Sequence, residues 1–404
     1  MDRLNVYVGD QLAGSLSREG EYHRFDYLPE YEGPPVFLGW SLGQQSRQWE
    51  HFPPAFDSLL PEGVLLDQLL LKHKLDKADK WGQLIAVGRD LTGFVSVLPE
   101  GSAENLLGKV VPGQMARKRV AIDPDDNSMP YTIAELVSYH GKHKLRMSLS
   151  GVQPKVSAVF SRKENTFKMV ETGGSYILKP SPQGFPGTAE VEAVTMELAR
   201  QAGISVPLCG WLATEDGQGV FWIERFDRWG AASRNRLRCE DACQILEIPA
   251  SWKYAGNLET LTRMIREHCS NPRLQLIKFF QRVLFCWVTG NGDMHLKNWS
   301  LIKNGPLIEL APAYDLLSTR LLREDDEDSA LTLDGRKSGL DRELLIDYLG
   351  REVCGINDRM IEKTLQSLAA INWYLTLLGS QLEVETAHDY NKIIEERLSR
   401  LGLK

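Results

Sequence analysis

Gly290-Asn291-Gly292-Asp293-Met294-His295-Leu296-Lys297-Asn298 is the stretch that decides the fold of this 404-residue chain. It follows Leu276 to Val288, a run apolar almost all round, which predicts a buried helix. Gly-Asn-Gly ends that helix and presents the next turn at the floor of a cleft. Asp293 and Asn298 then stand five residues apart. A carboxylate there is placed to accept a proton, and the amide oxygen one turn on to hold a hard cation such as Mg²⁺. Lys297 adds a positive charge suited to neutralising a transferring phosphoryl group. Read alone, the same spacing also describes an Asp–Asn capped turn.

Company narrows the choice. Asp-x-x-x-x-Asn is the spacing of the protein-kinase catalytic loop. Tyr314-Asp315-Leu316 follows after two strand-like segments, where kinases carry a second metal-binding carboxylate. Upstream, Tyr176-Ile177-Leu178-Lys179 puts a lysine on a strand, as the lysine for the α- and β-phosphates requires. Glu192, on the helix just after, is its natural partner. Ser150-Gly151-Val152-Gln153-Pro154-Lys155 reads as a strand–turn–strand whose backbone N–H groups cover phosphates. Ile223-Glu224-Arg225-Phe226-Asp227 lies where an adenine-binding hinge belongs. Gly108 to Gly113 has Walker-like spacing but continues Gln114-Met115, which excludes a P-loop.

Working outward, residues 1–100 form a β-rich unit. Leu4, Val6 and Val8 alternate, Leu12 to Leu16 and Gly93 to Leu98 add strands, and Leu59 to Leu71 is helical. Residues 101–128 lose periodicity and read as a linker, with Arg117-Lys118-Arg119 as solvated surface. Residues 129–228 resume strands: Leu145 to Ser150, Lys155 to Phe160, Tyr176 to Lys179 and Gly219 to Phe226. They also hold a helix through Val191, Val194, Leu198 and Ala202, ended by Gly203. Residues 229–404 are mainly helical. The expectation is an α+β, two-lobed protein-kinase-like fold with an N-terminal β-rich subdomain and a mainly helical C-terminal lobe. The loose linker suggests that the first unit stands outside the chemistry, so that a chain starting near residue 126 still transfers phosphate.

Composition sets bounds. Charge is 47 basic against 54 acidic residues, a net of −7, which argues against a dedicated nucleic-acid surface. No signal segment and no membrane-length apolar run is visible, and six cysteines without a C-x-x-C pattern suit the reducing cytoplasm. His140 and His143 have no companion pair for a metal. Glu324-Asp325-Asp326-Glu327-Asp328 reads as a solvated loop.

Together these residues resemble the HipA family of toxin kinases. Matching stretches are Ser148 to Lys155, Ile177 to Lys179, Ile223 to Arg228, Glu240-Asp241-Ala242-Cys243-Gln244, Gly292 to Asn298 and Ala313 to Leu316. Phe56 to Pro61 and Gly88 to Gly93 match in the N-terminal unit. The resemblance implies an ATP- and Mg²⁺-dependent serine/threonine kinase. In it Asp293 is the base, Asn298 and Asp315 the metal ligands, and Lys179 the phosphate lysine. His295 stands with the nucleotide-contacting residues, and Glu224 and Phe226 meet adenine through their backbone. It further implies autophosphorylation before the Gly151 loop, at Ser148 or Ser150. The implied target is an aminoacyl-tRNA synthetase and the implied restraint a small DNA-binding antitoxin, DNA being touched only through that partner and no membrane being involved. Pro154 departs from the family, where an acidic residue often stands. Two readings compete: a small-molecule phosphotransferase of the aminoglycoside type, and a binding module without catalysis.

Overall fold

The structure is a computed structural model. It describes residues 2–102 and 154–403, except 171, 183, 231–234 and 324, and residues 109–110, 129, 131–132 and 134–136 between them. Ser148, Ser150, Gly151, Val152 and Gln153 therefore lie outside the described residues, as do the strand expected at 145–150, the basic run 117–119, His140 and His143.

The first unit is an antiparallel sheet, order β4-β3-β2-β1-β5. Its strands are β1 (Asp2–Val8), β2 (Gln11–Glu19), β3 (Tyr22–Tyr27), β4 (Ser46–Trp49) and β5 (Val95–Pro99). The alternation in the sequence sets the register. Leu4 pairs with Leu16 and Leu16 with Phe25, so all three face one core with Phe37, Trp40, Phe56 and Leu84. Burying each such side chain contributes about 1.5–3 kcal/mol. The helix expected over 59–71 is α2 (Gly63–His73), starting later than expected, and a separate short α1 (Pro54–Asp57) precedes it. Pro61 and the left-handed Gly63, φ 56°, separate them. A third helix, α3 (Lys80–Val87), starts at Asp79, whose carboxylate accepts from Gly82 N at 2.9 Å.

Part of the presumed linker is built into structure. β6 (Lys109–Val110) pairs in parallel with β13 (Asn235–Arg236), which pairs with β12 (Arg228–Trp229).

The kinase-like N-lobe is a second five-stranded sheet, order β10-β11-β9-β7-β8. It comprises β7 (Val156–Ser161), β8 (Thr166–Met169), β9 (Tyr176–Pro180), β10 (Cys209–Ala213) and β11 (Gly219–Glu224), with α4 (Thr188–Gln201) packed on it. The C-lobe begins with β14 (Cys239–Asp241), which joins β15 (Ser300–Asn304) and β16 (Leu307–Leu310) in a small sheet. Helices α5 (Ala242–Ile245), α6 (Leu258–His268), α7 (Pro272–Val288) and α8 (Thr319–Leu322) follow in the chain. A wide-turned helix over Glu343–Val353 leads to α9 (Asp358–Ala369), α10 (Trp373–Leu378) and α11 (Val384–Arg400).

α7 is the central post, with Phe279, Phe280, Leu284, Phe285 and Val288 fully buried as its apolar run predicts. It ends at Thr289, whose hydroxyl donates to Phe285 O at 2.9 Å, and at Gly290, φ 67°. The lobes are strapped by α11: Tyr390 Oη and Thr195 Oγ1 lie 2.8 Å apart, and Arg397 donates to Trp287 O at 3.2 Å. Arg397 also pairs with Asp328 at 2.6 Å. The acidic run is thus not simply solvated, since Asp328 is buried and Asp326 bonds the Thr319 hydroxyl. Among the described residues no helix is long and apolar enough to cross a membrane.

Candidate active site

Between the lobes lies a cleft with about 900 Å³ of non-protein space. Its polar end is a buried knot of charge. Lys179, on β9, donates to Glu192 Oε1 at 2.5 Å and to Asp315 Oδ1. β9 delivers the lysine and α4 the glutamate, as the sequence predicts. Lys155 Nζ lies 3.9 Å from Asp315 Oδ2, so this lysine reaches the cleft through its side chain. Burial opposes the charge on Lys179, but the Asp315 and Glu192 carboxylates outweigh it and hold its pKa above the usual lysine range. Burial likewise opposes ionisation of Asp315, and Lys155 and Lys179 overcome it, keeping the carboxylate below its usual range. Asp315 also sits at φ 53°, a left-handed backbone that its surroundings must enforce.

Beneath the knot is the loop after α7. Asn291 ties its two acidic residues together: its Oδ1 accepts from Asp293 N at 3.1 Å, and its Nδ2 donates to Asp315 O at 3.4 Å. Asn298 Nδ2 donates to Asp293 O at 2.8 Å, which leaves the amide oxygen as the end suited to a cation. Tyr254 Oη donates to Asp293 Oδ1 at 2.7 Å. Burial raises the Asp293 pKa above the usual carboxylate range, and the Tyr254 bond acts against it. His295 is buried edge-on to Tyr254, and burial with nearby Lys253 depresses it to about 3, so it is a neutral imidazole. Lys297 and Asp315 line the cleft, whereas Asp293, His295 and Asn298 are not among its lining residues.

The donor set suits a hard cation. Asn298 and Asp315 offer oxygen only, and a Mg²⁺ carried by phosphates needs just one or two protein oxygens. Among the described residues, no group of three His, Cys, Asp or Glu is arranged to hold a metal unaided.

The apolar end is lined by Ile177, Ile223, Phe226 and Tyr314, with the Phe226 and Tyr314 rings 5.7 Å apart. Glu224 and Phe226 line the cleft as expected, but the Glu224 N–H is committed to Leu208 O at 2.7 Å.

Two expectations need correcting. Lys297 lines the cleft, yet its ammonium is not left for a phosphoryl group. It pairs with Glu62 at 2.9 Å, donates to Ser58 O at 2.6 Å and lies 3.9 Å from Asp241. Nor does the N-terminal unit stand outside the chemistry. Ser58, Leu59 and Thr92 form part of the cleft wall. Ser58 Oγ donates to Asp241 at 2.8 Å, and Asp57 accepts from Ala250 N at 2.9 Å. Asp90 is fully buried between Arg228, at 2.8 Å, and Arg236. Gly93, φ 75°, passes so close to the C-lobe that a Cβ would stand 2.6 Å from Cys239 O. The motif Glu240 to Gln244 proves to be a capping box for α5, with Asp241 Oδ1 accepting from Gln244 N at 2.9 Å and Gln244 answering to Asp241 N at 3.0 Å.

Comparison with known proteins agrees with this architecture. Residues 4–98 match the HipA N-terminal domain and residues 147–372 the HipA-like C-terminal domain. A putative kinase of Sinorhizobium fredii is 32% identical over 70% of this chain and 66% of its own length. The serine/threonine-protein kinase toxin HipA of Shewanella oneidensis is 27% identical over 82% of this chain and 78% of its own. A solved structure of Shewanella oneidensis MR-1 HipA, in complex with HipB and operator DNA, superposes at a TM-score of 0.68 and 21% identity, covering 98% of this chain and 96% of that one. The chain belongs to the HipA family of serine/threonine protein kinases.

Proposed function

We propose that this protein is the toxin of a toxin–antitoxin pair, transferring the γ-phosphoryl group of ATP to a serine or threonine of a protein that translation requires. The observation that carries the reading is Lys179 bonding both Glu192 and Asp315, with Asn291 tying the Asp315 backbone to that of Asp293. In this reading Asp293 accepts the proton of the acceptor hydroxyl as its oxygen bonds to the γ-phosphorus and the bond to ADP breaks. Its raised pKa suits a group that must take up a proton. Lys179, fixed by Glu192, orients the α- and β-phosphates, and Lys155 adds a second positive charge. Asn298 and Asp315 would hold Mg²⁺, which supplies charge neutralisation between the phosphates. Phe226 and Tyr314 offer flat apolar surface for adenine.

An aminoacyl-tRNA synthetase is the proposed target, and a small DNA-binding antitoxin the proposed partner. The Shewanella protein's complex with HipB and operator DNA supports the partner. Ser148 and Ser150 are proposed autophosphorylation sites. A phosphate there places close to two negative charges beside those of ATP and weakens nucleotide binding.

Labelled ATP and Mg²⁺ added to purified protein and a cell lysate test the activity. Labelled protein bands are expected with the parent, and Asp293→Asn should label about 10²–10⁴-fold more slowly. Label in small molecules only would favour the phosphotransferase reading, and an Asp293→Asn rate equal to the parent's would remove Asp293 from the role of base. Intact mass of a Ser148→Ala/Ser150→Ala double variant after incubation with ATP should show no phosphate at this loop. Phosphate retained in the double variant, with none mapped to this loop in the parent, would refute the assignment.

A further inference from the structure

Tyr254 lies in the irregular segment between Trp252 and Asn257, yet its hydroxyl donates to Asp293 Oδ1 at 2.7 Å. Its backbone is pinned to the catalytic loop. Leu296 N donates to Lys253 O at 3.1 Å, Lys253 Nζ pairs with Glu62 Oε2 at 2.7 Å, and a Cβ on Gly256 would stand 2.7 Å from Leu296 Cδ2. The residue as a whole, by contrast, is 43% exposed. Rotation about its own side-chain bonds would carry the phenol into solvent without moving the backbone.

A hydroxyl at this distance from a carboxylate oxygen makes the short, charge-assisted hydrogen bond that a serine or threonine must make before surrendering its proton. We propose that Tyr254 occupies the acceptor's place on Asp293, so that a protein hydroxyl displaces it and water does not. Tyr254 is then an acceptor-selecting residue of the kinase. This inference rests on the reading of Asp293 as base. A protein segment brings further contacts to offset the lost tyrosine bond, and Trp252, 65% exposed beside Tyr254, offers one such surface. Water brings none.

The reaction guarded against is hydrolysis. Water oxygen bonds to the γ-phosphorus, the bond to the ADP oxygen breaks, the proton passes to Asp293, and ADP and inorganic phosphate leave.

The test uses the full chain, Tyr254→Phe, which keeps the ring and removes the hydroxyl. With ATP and Mg²⁺ and no added protein, inorganic phosphate release should rise on the order of tenfold, the scale of one hydrogen bond to a charged group. With dephosphorylated casein as acceptor, KM for casein should fall while kcat holds. A merely structural tyrosine that steadies Asp293 would instead lower kcat and leave phosphate release unchanged, and that result would overturn the inference. Asp293→Asn in the Tyr254→Phe background should abolish the extra release. If Asp293→Asn alone transfers phosphate to casein at the parent rate, the reading of Asp293 as base fails. If Asp293→Asn is inactive but Tyr254→Phe releases no more phosphate than the parent, only the role of Tyr254 fails.

Discussion

Glu62 of the N-terminal unit and Lys297 of the loop after α7 form a largely buried ion pair 2.9 Å long, the lysine 2% and the glutamate 19% exposed. Burial opposes the Glu62 charge, but Lys297 and Lys253 overcome it and draw its pKa down to about 2. Glu62→Ala strands Lys297 with only Ser58 O and the more distant Asp241. A loss of about 3 kcal/mol is expected, at the lower end for a broken buried pair. Urea unfolding checks it, and kcat should fall as the loop holding Asp293 loosens. An unchanged midpoint and an unchanged kcat would show that the pair does neither.

A chain starting near residue 126 should lose nucleotide binding. It lacks Ser58, Leu59 and Thr92 from the cleft wall, and leaves Arg228 and Arg236 without Asp90. Calorimetric titration with ATP and Mg²⁺ decides the matter. Parent-like affinity in a folded truncated chain would restore the picture of an outlying module.

Lys179→Met leaves Glu192 and Asp315 without their shared cation. ATP affinity should fall about 10–100-fold, the loss of one charge-assisted contact. Glu192, fully buried, should then fold as the neutral acid. Isotope-edited infrared spectroscopy of the glutamate carboxyl would show the protonated band in the variant, and a purely ionised band would contradict this.

Glu240 gives the interface between units a pH dependence. Burial pushes its pKa up from 4.5 to about 7, against Arg238 and the Leu38 N–H that donates to it at 2.8 Å. Between those two values the folded chain holds a proton that the unfolded chain has released, so stability from this group falls as pH rises across the window. Its contribution is at most about 3 kcal/mol. Glu62 acts with the opposite sign but at lower pH, between about 2 and 4.5, where its stabilising charge is lost as pH falls. Glu240→Gln should therefore flatten the difference in unfolding midpoint between about pH 5 and pH 7. A variant with the parent's full difference would assign that slope to other groups.

What the sequence discloses follows from distance along the chain. The Asp293–Asn298 pair, Lys179 on its strand with Glu192 on the next helix, and the apolar run of α7 are local patterns. Each carries its own chemistry or periodicity. Glu62, Ser58 and Tyr254 have no such signature. They matter because folding brings them to the loop from elsewhere, and a lone glutamate or tyrosine in a sequence reads as ordinary surface. Lys297 misled for the same reason: its neighbours in sequence are catalytic, but its partners in space belong to the other unit. The acidic run at 324–328 looked solvated until Arg397, far downstream, supplied the counter-charge for Asp328.

The strap formed by α11 is the last of these links to be synthesised. A nascent chain that has exposed residues through Leu316 carries every proposed catalytic group. It still lacks Tyr390 to join Thr195 behind the N-lobe, and Arg397 to hold both Trp287 O and Asp328 beneath the loop. Those contacts form only once that helix has emerged and docked, whereas the Lys179–Asp315 pair needs no residue beyond Asp315.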